Sequence, residues 1–199
     1  MTRVGEIGRP RRRSIRLLAE DTALLEALAS RDGLRRRHGA DASEPDLAHA
    51  RELTRQSLDF MARVGATPPW LCYLTVDEDT GTLVGCCGFR GNPRDIGCGV
   101  MAPEIAYHTF PAFEGRGYAT AMALRLVEVA RGAAVSTVIA HTLRAHNPST
   151  RVLGRAGFAF AGEVDDPEDG LVWRWRQELV PAPVASFSDV CPSAEHRPA

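Results

Sequence analysis

The stretch Glu114-Gly115-Arg116-Gly117-Tyr118-Ala119 sets two glycines between two apolar runs. Glu104–Phe110, before it, reads as a strand that ends near Pro111, and Tyr118–Arg131, after it, reads as a helix. Strand, glycine turn and helix N-terminus together make an anion site. Gly115 and Gly117 let the backbone approach a ligand closely, and the first helical amides point outward without intrahelical partners. The helix dipole favours negative charge at the same place. A pyrophosphate is the natural occupant; a tight turn with no ligand is the plain alternative. Which pyrophosphate compound it serves is narrowed by what is missing. A Walker loop needs Gly-Lys-Ser/Thr, and the chain has no lysine. A dinucleotide fingerprint needs three glycines, and only two are present.

Other reactive side chains carry weaker signals. Cys86, Cys87 and Cys98 lack the paired spacing of a zinc site, so no metal is expected. Cys86 and Cys87, adjacent in a strand-like run, read as small core fillers on opposite faces. Trp173 and Trp175 alternate with Arg174 and Arg176, which places both indoles on one sheet face with the arginines on the other.

These residues need a frame. Ser14–Glu20 reads as a first strand. Asp21 or Thr22 then caps a helix in which Leu24, Leu25 and Leu28 recur at helical spacing. A second helix runs from Asp46 to Val64, with Pro45 near its start. The period then changes: Trp70–Val76 and Leu83–Phe89 form a hairpin around the turn Asp77–Gly81. Arg90–Gly99 reads as a loop. After Glu104–Phe110 and the helix that follows come a strand at Thr137–Leu143 and a short helix at Ser149–Arg155. Phe158–Val164 and Leu171–Arg176 read as strands about the turn Asp165–Gly170. Such an order predicts an α/β (α+β) fold with helices on both faces of a sheet.

Residues 1–13 read as a basic leader, in which "RPRRR" is either solvated or an arm for a phosphate-bearing partner. Residues 14–180 read as one domain, and residues 181–199 as a tail of Pro, Ala and Ser without period. The 199 residues hold 24 basic and 25 acidic side chains, a net charge of −1, so no global field invites nucleic acid. An odd number of cysteines, 5, argues against a disulfide framework and for a reduced compartment. Neither a membrane-spanning run nor a secretory signal is legible, and a cytoplasmic location is predicted.

The glycine turn and its flanks resemble the GNAT superfamily of acyl-CoA N-acyltransferases. Gly117 and Ala119 match the last two positions of that family's pyrophosphate loop, while Glu114 stands where Arg or Gln is usual. This departure predicts a side chain turned outward. Glu104-Ile105-Ala106-Tyr107, Pro111 and Gly115-Arg116-Gly117-Tyr118-Ala119-Thr120 look most like the branch that includes the ribosomal-protein N-terminal acetyltransferases. A second block agrees: Asn147, Ser149, Arg151, Val152, Leu153, Gly157 and Phe158 resemble the family's later segment. The resemblance covers about Trp70 to Arg176.

It implies a GNAT fold: a mixed, mostly antiparallel sheet of six to seven strands, with two parallel neighbours splayed at the cofactor cleft. It further implies acetyl-CoA as acyl donor and a primary amine, on a protein N-terminus or a small molecule, as acceptor. Pantetheine would pair with backbone near Thr109, and the pyrophosphate would sit on Gly115, Arg116, Gly117, Tyr118, Ala119 and Thr120, with Asn147 nearby. The attacking amine must be neutral, so a base is wanted; Glu104, directly or through water, is the candidate, against a carboxylate that only pairs with an Arg. His108, four residues on along the same strand, could share the role. The departing thiolate needs a proton. The tyrosine many family members offer after the second block's Asn is absent, which leaves Ser149 or a water, although Ser149 is equally a helix cap. The superfamily often dimerises, so a homodimer is allowed. A non-catalytic acyl-CoA-binding module is the alternative function.

Overall fold

The computed structural model describes residues 13–166 and 169–179. The predicted tail and, apart from Arg13, the predicted leader lie outside the described residues. Strand β1 (Ile15–Ala19) leads to Asp21, whose side chain accepts from the Leu24 amide and starts α1 (Thr22–Ala27). Ser30 then accepts from the Gly33 amide and starts α2 (Arg31–His38), which Gly39 closes in the left-handed region. A second N-cap so soon after the first divides the predicted helix, and two expected helices become three. The third, α3 (Glu44–Val64), is capped by Ser43 and ended by left-handed Gly65.

The predicted hairpin forms as β2 (Cys72–Asp77) and β3 (Leu83–Phe89), with Asp77 accepting from the Thr80 amide inside the turn. The expected loop after it contains a small hairpin, β4 (Arg94–Asp95) with β5 (Met101–Ala102). Asp95 accepting from the Gly97 amide nucleates that turn, and positive φ at Gly97 and Gly99 completes it. There follow β6 (Ile105–Thr109), a 3-10 turn at Pro111–Phe113, α4 (Tyr118–Gly132) and β7 (Thr137–Thr142). Helix α5 (Pro148–Ala156), β8 (Ala159–Asp166) and β9 (Gly170–Glu178) complete the order.

Two antiparallel sheets result, ordered β1-β2-β3-β6 and β7-β9-β8. They meet at one parallel bridge, Glu104 to Ile139, fixed by a bond from the Ile139 amide to the Pro103 carbonyl. Past that bridge β6 and β7 part, as the splayed pair of a GNAT fold should. Helices cover both faces. On one side Met122, Ala123, Leu126 and Val127 of α4 pack on Val84, Ile105 and Val138 and reach Leu153 of α5. On the other, Leu24, Leu28, Leu34 and Leu47 of α1–α3 pack on Leu74, Val76 and Leu83. The hydrophobic contribution of each fully buried leucine is about 1.5–3 kcal/mol, so the two cores clamp the sheet from both sides and hold the split edge open between them.

Trp173 and Trp175 share a face, where Phe160 contacts both rings edge-on. Arg174 is half-buried rather than exposed, because it donates to His141 Nε2 at 3.1 Å.

Candidate active site

The glycine turn has the predicted geometry. Gly115 sits at φ 70° and Gly117 at φ 89°, values that an L side chain would adopt only with strain. Gly117 is the N-cap of α4 and supplies no side-chain cap, so the amides of Tyr118, Ala119 and Thr120 open the helix without intrahelical acceptors. They face a cleft of about 420 Å³ between β6, the turn and α5. Thr109, Gly115, Gly117, Tyr118, Ala119, Thr120 and Ser149 all line it, so the structure brings together most of the residues that the sequence singled out.

Two predicted residues stand elsewhere. The Arg116 side chain lies 5.7 Å from the Phe113 ring and is not part of the cleft wall, while its carbonyl accepts from Arg13. Asn147 spends its side chain on α5: its Oδ1 accepts from the Thr150 amide at 3.1 Å, and the Thr150 hydroxyl answers on the Asn147 amide at 3.2 Å. Asn147, not Ser149, is therefore the cap, since its position before Pro148 puts it outside the first turn. Ser149 falls inside that turn and borders both this cleft and the opening where β6 and β7 separate.

Two arginines that the sequence reading did not single out for binding also border this cleft. Arg151 and Arg155, one turn apart on α5, line the cleft opposite the uncapped start of α4. Their i, i+4 spacing was the available signal. Uncapped amides on one wall and two guanidinium groups on the other fit the phosphates of acetyl-CoA. Glu114 is exposed, yet it also lines the cleft and favours the charged form of His108, so the outward turn expected of it is only partial.

Where β6 and β7 separate, a second opening of about 330 Å³ is lined by Glu104, Ala106, Tyr107, His141, Ser149 and the predicted Asn147. Tyr107 borders this opening and the phosphate cleft alike, and its hydroxyl donates to the Ser149 carbonyl at 3.3 Å. Burial pushes the Tyr107 phenol up to about 12, so it stays protonated.

Glu104 is enclosed by partners. Arg94 donates to it at 2.5 Å, His141 Nδ1 lies 3.2 Å away, and Arg90 stands at 3.8 Å. Asp166 joins the group, 3.7 Å from His141 and 3.8 Å from Arg94. Donor atoms of Glu104, His141 and Asp166 come within 4.8 Å of one another, but the Arg94 guanidinium already supplies the cation between the two carboxylates. Of the two readings of Glu104, the pairing with arginine is what the geometry displays.

A third cavity, of about 360 Å³, lies on the opposite face of β2-β3-β6 beneath α3. Glu20, Ser57, Phe60, Cys72, Cys86, Ala106 and His108 line it. Cys87 packs in the α4-side core and Cys86 against the α1–α3 core, so the two cysteines do fill cores on opposite faces, and Cys86 also borders this cavity. His108 belongs to this cavity and to the phosphate cleft, and so stands at their junction. Burial, then the neighbouring His49, lower the His108 pKa, which favours a neutral imidazole. Among the described residues, no helix is long and apolar enough to cross a membrane.

Known proteins with this architecture are numerous. The aminoglycoside acetyltransferase AAC(6')-Ib, solved with coenzyme A, is 20% identical at a TM-score of 0.53 over 83% of this chain and 94% of its own. The ribosomal L7/L12 α-N-protein acetyltransferase RimL, solved with coenzyme A, is 16% identical at 0.52 over 83% and 94%. The microcin C7 self-immunity acetyltransferase MccE, solved with acetyl-CoA and AMP, is 15% identical at 0.53 over 83% and 92%. At these identities the likeness is one of fold. No curated protein matches the chain. The family described as "Acetyltransferase (GNAT) domain" matches residues 12–159, most of the chain, and this protein belongs to it.

Proposed function

We propose that this protein transfers the acetyl group of acetyl-CoA to a primary amine, by direct attack in a ternary complex. The observation that carries the reading is the uncapped start of α4, held open by Gly115 and Gly117 and faced by Arg151 and Arg155 across one cleft. It is an anion cradle on the edge that β6 exposes once β7 has left it. The solved relatives that hold coenzyme A or acetyl-CoA share this architecture.

An ammonium must first lose a proton. The amine nitrogen then bonds to the thioester carbon, the carbon–sulfur bond breaks, the nitrogen sheds a second proton, and the thiolate takes one up. His108 is the better-placed base: it is biased to the neutral form and stands where the cavity beneath α3 meets the cleft. Glu104 would have to give up Arg94 and His141 to do that work, and it acts instead by fixing β6 against β7. The thiolate's proton comes from solvent in the opening that Tyr107 and Ser149 border, since a phenol pushed up to about 12 yields its proton less readily than a thiol.

Calorimetry with acetyl-CoA on wild type and Gly117→Glu tests the cradle, and CoA release with an amine panel tests the chemistry. Micromolar binding lost in the variant, with CoA released by wild type, is the expected result. Binding without release from any amine would favour a non-catalytic acyl-CoA-binding module. No binding by folded wild type would sink both readings.

A further inference from the structure

The cavity beneath α3 holds a carboxylate that nothing in the acyl-transfer reading uses. Glu20 follows β1 directly, and its amide bonds the Cys72 carbonyl, which turns its side chain onto the face that carries Cys72. The residue is only 3% exposed, and neither carboxylate oxygen meets a donor in hydrogen-bond geometry. An unpaired buried carboxylate is costly, and a fold keeps one where a ligand supplies the missing partner. Burial pushes its pKa up to about 7, opposed in part by the Ser57 hydroxyl, so a cation arriving there would draw it into the charged form.

Position decides which nitrogen that cation is. Acyl transfer occurs at β6, beside His108. Glu20 lies at the β1 end of the order β1-β2-β3-β6, three strand spacings away, or about 14 Å less the reach of the side chains. Glu20 therefore cannot take the proton of the reacting amine. The floor between them is kept low by Cys72, Cys86, Gly88 and Ala106, and Phe60 of α3 lies overhead. A largely apolar cavity with His108 at one end and the Glu20 carboxylate at the other suits a slender chain with nitrogen at both ends, and Arg90, which also lines it, is engaged by Glu104 and Asp169.

Resting on the acyl-transfer reading, we infer that the acceptor is a primary amine bearing a second cationic nitrogen at the far end of an apolar chain, and that Glu20 binds this second nitrogen. Glu20 is thus a specificity-determining residue rather than a catalytic one. The ammonium gives its N–H to a carboxylate that is itself buried, where a charge-assisted bond discriminates strongly against an acceptor that lacks the donor.

The test pairs CoA release from acetyl-CoA with calorimetry on the CoA-loaded protein. Its probes are the α,ω-diaminoalkanes from cadaverine upward and the n-alkylamines of equal length. In wild type one diamine length should exceed its monoamine partner by at least tenfold in kcat/KM. Glu20→Gln should collapse that ratio toward one. Glu20→Asp, which withdraws the carboxylate by one methylene, should shift the preferred diamine to a longer chain, an outcome that a structural role would not produce. A melting curve for each variant confirms folding. Equal use of diamines and monoamines by wild type, or a ratio that survives Glu20→Gln, overturns the assignment and leaves the acyl-transfer reading standing. Diamine binding lost in Glu20→Gln, with no CoA released by any amine, upholds Glu20 and overturns the acyl-transfer reading. No diamine binding at any length overturns the inference outright.

Discussion

Glu20 and Glu104 are both removed from water, at 3% and 4% exposure, yet the molecule treats them in opposite ways. Glu104 sits where the two sheets join, Arg94 donates to it, and Arg90 and His141 stand within ion-pair distance. Glu20 sits at the end of β1 in an apolar cavity, and neither of its oxygens has a partner in hydrogen-bond geometry. A buried charge whose partners come from the protein is already satisfied and serves the fold. A buried charge without them leaves its solvation cost outstanding, and a ligand can discharge it. The sequence pointed to Glu104 because the family motif begins there, whereas by partnership the unused binding capacity lies with Glu20.

If Glu104 is structural, its removal should damage the fold more than any other change in the pair. Glu104→Ala leaves Arg94, Arg90 and His141 around an empty space at the only bridge between the sheets among the described residues. Breaking a buried ion pair from one side costs about 3–5 kcal/mol, and the partial exposure of both arginines places this one near the lower end. Urea unfolding should register a loss of about 3 kcal/mol. A loss below about 1 kcal/mol, with catalysis abolished in the folded variant, would return the base to Glu104.

Much of the molecule is legible in its sequence, and the limits follow from what a linear pattern encodes. β3 was legible to the residue, and the glycine turn announced its backbone, because glycines between a strand and an apolar helical run mark a positive-φ turn. The division between α1 and α2 was missed because Ser30, as a cap, competes with the leucine spacing that spans it. The ring of partners on Glu104 was not legible: Arg90 and Arg94 arrive from one segment and His141 from another, and only the fold sets them side by side. Glu20 was passed over for the converse reason. It ends an ordinary apolar strand, and its significance is that, among the described residues, only the Ser57 hydroxyl, and no cation, acts on it, which no spacing records. Arg151 and Arg155 were visible as a helical pair, but the wall they face was not.

The second contrast is in pH. A carboxyl whose folded value is raised from about 4.5 to about 7 holds its proton more tightly in the folded chain. Its contribution is full below the unfolded value and is lost as pH climbs through the folded one. Replacing it with neutral Gln removes that loss. Glu20→Gln should therefore gain stability over wild type as pH rises from 5 to 8, approaching about 2–3 kcal/mol at the upper end, because each tenfold difference in proton affinity between folded and unfolded chain is worth about 1.4 kcal/mol. The difference between the two unfolding curves isolates this residue from every other titration. A constant difference across that range would mean that Glu20 stays charged in the folded protein, held by a partner that the geometry does not provide.

The smallest effect probes how the Glu104 group shares its load. Arg94 makes the shortest contact with Glu104, but its side chain is 49% exposed. Water screens a cation in that position, and what it adds to stability falls toward the value for surface pairs, about 1 kcal/mol or less. Arg94→Met should cost about 1 kcal/mol, since Arg90 and His141 remain on Glu104. Salt supplies the check: the wild-type advantage should shrink between low and high ionic strength, as screening weakens an exposed partner more than a buried one. A loss equal to that of Glu104→Ala would instead make Arg94 the sole counter-ion. The satisfied carboxylate would then depend on one half-exposed side chain, and the line between the two glutamates would be thinner than the number of their partners suggests.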